Sequence, residues 1–160
     1  MESFLTDFLK NGYAFVILGM ILNVALGGIG SARGLRIAAT QTAGVMSEKP
    51  ELFGKLLVLT VLPGTQGFYS FIVSFLAGLR LVASGTSSFS SSIAMMCLLI
   101  GMGIVECVSG IEQGKTSAAA INMVAKQEGT SGQAIIFPAL VETYAVLALL
   151  IAIITMLWIK

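Results

Sequence analysis

The chain is 160 residues long, 56% of them hydrophobic and only 11% charged, with a formal net charge of +1. That composition leaves too little polar surface to cover a water-facing globule and points to a membrane protein. The near-zero charge and the absence of histidine offer no basic patch for nucleic acid and no imidazole for zinc binding or proton shuttling.

From the N-terminus, MESFLTDFLKNG places acids ahead of its one base, Lys10, and the apolar run behind it is too long for the core of a secretory signal, so no cleavage is expected. The first span is read over Gly12–Ala32, uncharged up to Arg33. The second, Leu56–Leu79, is a charge-free run of 24 residues, longer than the roughly 20 needed to cross hydrocarbon. The third, Phe89–Val105, is uncharged up to Glu106 and continues in a helix-compatible pattern toward Lys126. Its two cysteines, Cys97 and Cys107, have a spacing that is neither a metal nor a redox motif, and read as packing residues. The fourth, Ala134–Ile159, holds one charge, Glu142. The expectation is an all-α membrane protein, a single membrane domain over 1–160 that crosses the cell membrane four times.

Four spans put the 1–2 and 3–4 connections on one side, and the termini with the 2–3 connection on the other. Arg33, Arg36, Lys49, Lys55, Lys115 and Lys126 crowd the first side, leaving Lys10, Arg80 and Lys160 for the second. The positive-inside rule makes the 1–2 and 3–4 connections cytoplasmic. Arg33 nevertheless precedes the first connection by about 14 residues, roughly 20 Å of helix. Either the odd-numbered helices project beyond the bilayer or these basic side chains snorkel.

The two halves repeat each other. GIGSARG, Gly28 to Gly34, matches GIEQGKT, Gly110 to Thr116, at an offset of 82; LPGTQGFY, Leu62 to Tyr69, matches FPALVETY, Phe137 to Tyr144, at an offset of 75. The first hairpin covers about 12–82 and the second about 89–160, and the connections MSEKPELFG and KQEGTSG absorb the difference of seven. Each copy has two spans, so both run the same way through the membrane, and such hairpins extend naturally into a ring. Gly30 with Gly34, and Gly110 with Gly114, are small-xxx-small pairs suited to close helix packing. Glu142 falls opposite Gly67 and Gln113 opposite Ser31, so the acid occurs once per four helices.

In the second span Leu62, Thr65, Gln66 and Tyr69 sit at i, i+3, i+4 and i+7, on one helix face. Pro63 has no N–H, which frees a backbone carbonyl one turn back, most directly that of Leu59; Pro138 does the same ahead of Glu142. An unpaired charge in a membrane helix costs about 2.5 to 3.5 kcal/mol, so Glu142 needs a proton, a basic partner or a metal cation. Lysine and arginine are absent from its span and from Leu56–Leu79. A proton requires the carboxyl alone, whereas an alkali cation requires several neutral oxygens around one negative charge. Thr65, Gln66, Gln113 and a freed carbonyl are such oxygens. Hydrogen bonding between helices is the plainer use of the same groups.

LPGTQGFY, SGIEQGK and VETYA, with similarity over nearly the whole chain, closely resemble the rotor-ring subunit, or proteolipid, of bacterial V-type ATPases, especially the sodium-translocating branch. The resemblance implies a lipid-embedded ring of identical subunits, turned against a stator membrane subunit that carries a basic residue. ATP would be hydrolysed in separate soluble subunits, and central-stalk subunits would meet the cytoplasmic loops. This chain would have no catalytic site. By the same pattern Glu142 is the ion-carrying carboxylate, Leu62 (through its carbonyl), Thr65, Gln66 and Gln113 are further ligands for Na+, and Tyr69 closes the site by hydrogen-bonding Glu142. A proton-translocating ring, with H+ in place of Na+, is the near alternative, and a small secondary transporter or a purely structural scaffold the remoter ones.

Two acids depart from that pattern, Glu106 and Glu112, which stand where small residues are expected. Glu106, seven residues from Gln113 and on a similar face, either tunes the ion site or its access, or stays protonated, or lies near the outer water boundary. Glu112 has Lys115, Arg33 or Arg36 as pairing partners. GIEQGKT also approaches a phosphate-binding loop, but Ser109 stands where the first glycine belongs and no strand precedes it, so no nucleotide is expected.

Overall fold

Backbone N–H and C=O groups in an apolar medium must satisfy one another, which makes helices of these four apolar runs. The structure, a computed structural model, describes residues 12–84 and 88–159. Helix α1 is Tyr13–Met46, α2 Phe53–Val61, α3 Thr65–Ser84, α4 Phe89–Lys126, α5 Ser131–Ala134 and α6 Ile136–Trp158. Short 3-10 turns at Pro50–Leu52, Leu62–Gly64 and Glu128–Thr130 link them within each hairpin. Four stretches are long and apolar enough to cross a membrane: Tyr13–Met46, Pro50–Ala83, Phe89–Lys126 and Glu128–Trp158. The chain is a multi-pass membrane protein. The N-terminal segment with Lys10, and Lys160, lie outside the described residues.

The odd-numbered spans are longer than their uncharged cores suggest. With 34 and 38 residues, α1 and α4 measure about 51 and 57 Å at 1.5 Å per residue, against hydrocarbon about 30 Å thick. Both therefore extend well beyond it, which answers the misfit at Arg33. Gly12 starts α1 at φ 70°, a conformation natural to glycine, and an added Cβ there would also strike Ser92. Ser88 caps α4 by accepting the N–H of Ser91 at 3.2 Å.

The two long helices pack on each other most extensively, with α3 against α1 and α6 against α4. Their glycines explain how. A Cβ on Gly30 would lie 2.5 Å from the Cα of Cys107, one on Gly34 2.1 Å from the carbonyl of Gly110, and one on Gly114 2.4 Å from the Cα of Gly34. Backbone thus meets backbone at the glycine pairs of both repeats, and GIEQGKT is one stretch of packed helix.

Two apolar cores sit at different heights. One gathers Val16, Val73, Ala77, Met95, Leu99, Met102, Ala152 and Met156; the other Ala38, Leu52, Leu56, Leu59, Ala120, Ile121, Val124 and Ala134. Along the first three spans most of the buried polar residues fall between them, among them Asn23 and Ser31, then Gln66 and Ser70, then Glu106, Ser109 and Gln113. Outward, Phe68, Leu140, Leu147 and Ile151 are exposed apolar side chains, suited to lipid or neighbouring copies. Arg80 donates to the carbonyls of Met156 and Ile159, the otherwise unpaired end of α6.

The seven-residue difference between the copies is shared out. Helix α1 runs two residues further past the matched GIGSARG position than α4 does past GIEQGKT, and the remaining five lie between helix end and proline. There α2 has nine residues and α5 four.

Candidate ion-binding site

Pro63 shapes the second span. Lacking an N–H, it cannot continue the helical ladder, and the chain tightens at Leu62–Gly64 before α3 begins at Thr65. The ring of Pro63 is buried against Gly34. Within this turn the Leu62 carbonyl accepts both the N–H of Thr65 and its hydroxyl, the latter at 3.0 Å. Helix α3 then brings Gln66 to Gln113 of α4 and Tyr69 to Glu142 of α6, while Ser70 faces Gly27 of α1. In the fourth span the chain also breaks ahead of its proline, with α5 ending at Ala134 and α6 starting at Ile136.

Glu142, half-buried on α6, is reached from two helices. The Tyr69 hydroxyl donates to its Oε1 at 2.6 Å, and Gln113 Nε2 donates to its Oε2 at 2.5 Å. The same Gln113 nitrogen donates to the Pro138 carbonyl at 3.0 Å. A carbonyl and a carboxylate only accept, so the nitrogen end of Gln113 is fixed and its oxygen faces Gln66. Gln66 Nε2 donates to that oxygen at 2.6 Å. The chain of bonds leaves Gln66 Oε1 fully buried with no partner, an acceptor on a side chain linked to the acid through Gln113. Gln66 and Gln113 are both 0% exposed. Ser109 Oγ reaches the Val141 carbonyl at 3.4 Å, a further tie between α4 and α6.

Of the residues singled out by sequence, Tyr69, Gln66 and Gln113 thus join Glu142 in one network. Leu62 and Thr65 lie in the turn that leads into it, bonded to each other. Among the described residues the ion pairs are Lys49 and Lys55 with Glu128, and Lys115 with Glu112; none involves Glu142. Of the three partners open to Glu112, Lys115 is the one found, at 2.6 Å, with both side chains about half exposed. Such a surface pair contributes little. Glu106 is 0% exposed, buried in the polar layer.

The duplication can be read in contacts. Ser31, the counterpart of Gln113, accepts the N–H of Gly67, the counterpart of Glu142, at 2.8 Å. Both hairpins bring the same two positions together, but in the first the contact joins a hydroxyl to backbone and carries no charge. Asn23, Ser70 and Ser74 were not among the residues that sequence reasoning selected. The signal for the two serines was the four-residue spacing Gln66, Ser70, Ser74 on one face of α3; Asn23, on α1, had none.

The model of the family described as the C subunit of ATP synthase matches the chain twice, over residues 18–77 and 95–155. The V-type sodium ATPase subunit K of Enterococcus hirae is 36% identical over 143 residues, covering 89% of this chain and 90% of that one. The A-type ATP synthase subunit K of Methanocaldococcus jannaschii is 36% identical over 141 residues, covering 86% of this chain; the matched part is 61% of that protein's length. Two tandem matches, one to each hairpin, and likeness along nearly all of a relative's length place this chain in the ATP synthase C-subunit family.

Proposed function

We propose that this chain is the ion-carrying rotor-ring subunit of a V-type ATPase and that its transported ion is Na+, bound at Glu142 within the membrane. The observation that carries the reading is a half-buried acid whose neighbourhood supplies oxygens and no base: Gln66 Oε1 is unpartnered, and Glu142 has no ion pair among the described residues. The sodium named for the Enterococcus hirae relative points the same way. The ligands are the Leu62 carbonyl, Thr65, Gln66, Gln113 and Glu142, and Tyr69 holds the carboxylate in place. Because Gln113 turns its nitrogen toward Glu142, cation entry reverses that amide so that its oxygen faces the ion.

The mechanism is electrostatic. With its ion bound, Glu142 is neutral and crosses lipid at low cost; emptied, it is a carboxylate that hydrocarbon penalises. A fixed positive residue on the stator membrane subunit stabilises the empty state and expels the ion, and reloading restores neutrality. The two hairpins, about 12–82 and 89–160, repeat around the ring with the chain as one membrane domain. The 1–2 and 3–4 connections face the cytoplasm, where central-stalk subunits meet them; their lysines, Lys49 and Lys55 among them, support that orientation. ATP is hydrolysed in other subunits.

Carbodiimide labelling of the purified ring tests the ion. Glu142 is expected to be the residue modified, and sodium to slow the modification at constant pH; labelling of Glu142 indifferent to sodium would leave a proton-translocating ring. The ligands are tested in the same assay. Gln66→Ala and Gln113→Ala are each expected to raise the sodium concentration needed for protection by about tenfold or more, the equivalent of about 1.4 kcal/mol. A variant that keeps wild-type protection removes that residue from the ligand set.

A further inference from the structure

Between the Glu142 site and the apolar core around Leu99 and Val73 lie four oxygens that the transport site does not use. Both carboxyl oxygens of Glu106 on α4, Asn23 Oδ1 on α1 and Ser70 Oγ on α3 are buried without a hydrogen-bond partner, and all three residues are 0% exposed.

The helix crossings put them in one layer. Three residues before Glu106, Gly103 touches Asn23 so closely that an added Cβ would stand 3.2 Å from Asn23 Oδ1. One residue after Glu106, the backbone of Cys107 meets Gly30. Between Asn23 and Gly30 on α1 comes Gly27, where an added Cβ would lie 2.1 Å from Ser70 Oγ. Glu106 is therefore abreast of Gly27 and Ser70, with Asn23 one turn away along α1. The Asn23 amide is also fixed in sense. Its nitrogen donates to the Ser70 carbonyl and to Ser74 Oγ, each at 3.0 Å, so its oxygen is the end turned to α4.

Donor counting decides what this layer holds. An ionised carboxylate and an amide oxygen only accept, and the Ser70 hydroxyl is the single donor among them. Ionised, Glu106 would leave buried acceptors facing one another around a charge that the apolar surroundings disfavour. Protonated, it gains the one donor the layer lacks: a rotation of the side chain would let its O–H reach Asn23 Oδ1 and its other oxygen accept the Ser70 hydroxyl, and all four atoms, unpartnered as they stand, would be satisfied. Around it, α1 brings no titratable group to this layer, α3 brings Tyr69 and α6 brings Glu142, which are bonded to each other; on α4 itself Cys107 is adjacent.

We infer that Glu106 is a second ion-binding carboxyl in each chain, its ligand a proton held between α1, α3 and α4 by Asn23 and Ser70. The chain then carries two intramembrane acids neutralised differently, Glu142 by the ion that moves and Glu106 by a proton enclosed among three helices. The inference does not depend on which ion Glu142 carries.

Infrared spectroscopy of the purified Glu142→Gln ring at neutral pH tests it, because that background removes any contribution from Glu142. The expected result is a protonated-carboxyl C=O stretching band that is lost when Glu106→Gln is added and unchanged by sodium. Should the double variant fail to assemble, Ser70→Ala in the same background serves: loss of the hydroxyl donor is expected to move the band to higher frequency. Absence of the band, its persistence in the double variant or an unshifted band in Ser70→Ala overturns the assignment. Disappearance of the band on adding sodium also overturns it, by making Glu106 a cation ligand.

Discussion

Glu142→Gln is expected to abolish ion uptake by proteoliposomes containing the purified ATPase complex, while the ring itself still assembles. Glutamine keeps the shape of the side chain and an oxygen for the Tyr69 hydroxyl, which donates at 2.6 Å in the native chain. What it loses is the charge. A cation entering the altered site would stand unneutralised in hydrocarbon, at a cost of about 2.5 to 3.5 kcal/mol, roughly a hundredfold in occupancy. Assembly is judged by the migration of the ring on a native gel, and transport by uptake of radioactive sodium. Uptake at the wild-type rate would remove Glu142 from the ion path and favour a scaffold role for the chain.

The second large effect is expected far from any charge. Gly34→Val places new atoms where no soft neighbour can yield: already the first, Cβ, would lie 2.1 Å from the Gly110 carbonyl oxygen and 2.7 Å from the ring of Pro63. Backbone and proline ring are rigid, so α1 must move away from both α4 and the turn that leads to Thr65 and Gln66. Overpacking of this kind costs about 1 to 3 kcal/mol or more, and here it falls on the main seam of the bundle. The yield of intact ring is expected to drop severely, and Gly114→Val should act likewise, its Cβ standing 2.4 Å from the Cα of Gly34. Gly44→Ala is the control, since nothing lies within 4 Å of a Cβ there. A wild-type yield of ring from Gly34→Val would show that the seam opens without consequence.

These two cases also mark what a sequence can and cannot announce. Four spans and a duplication are legible because they depend on run length and on motifs that recur within the chain itself. The continuation of α4 to Lys126 is legible from its helix-compatible pattern, but the reach of α1 stays open between projection and snorkelling, since a hydropathy reading stops at the first charge, whereas Arg33 and Arg36 lie exposed on the helix surface and let it continue to Met46. The stripe from Leu62 to Tyr69 is legible from periodicity, yet the 3-10 turn that Pro63 imposes separates Leu62 from the helix bearing Gln66 and Tyr69. Asn23, Ser70 and Ser74 pass unnoticed because small polar residues are ordinary in membrane helices; only the crossing of α1 over α4, set by glycines, decides what they face. The same crossing gives Glu106 its burial. Local sequence could place it on the face of Gln113 but could not say what stood opposite.

The hydroxyl-to-backbone contact of Ser31 and Gly67 bears on gearing. It preserves the meeting of two helices that in the second hairpin brings Gln113 to Glu142, but without a charge to load. With Glu142 as the proposed carrier, successive carriers in a ring of such chains are spaced by two hairpins, so one revolution would move one ion per chain where a ring of the same circumference with a carrier in every hairpin would move two. The work delivered in that revolution is divided among fewer ions. Each can be driven against a steeper gradient, and the silent hairpin thereby trades flow for pressure.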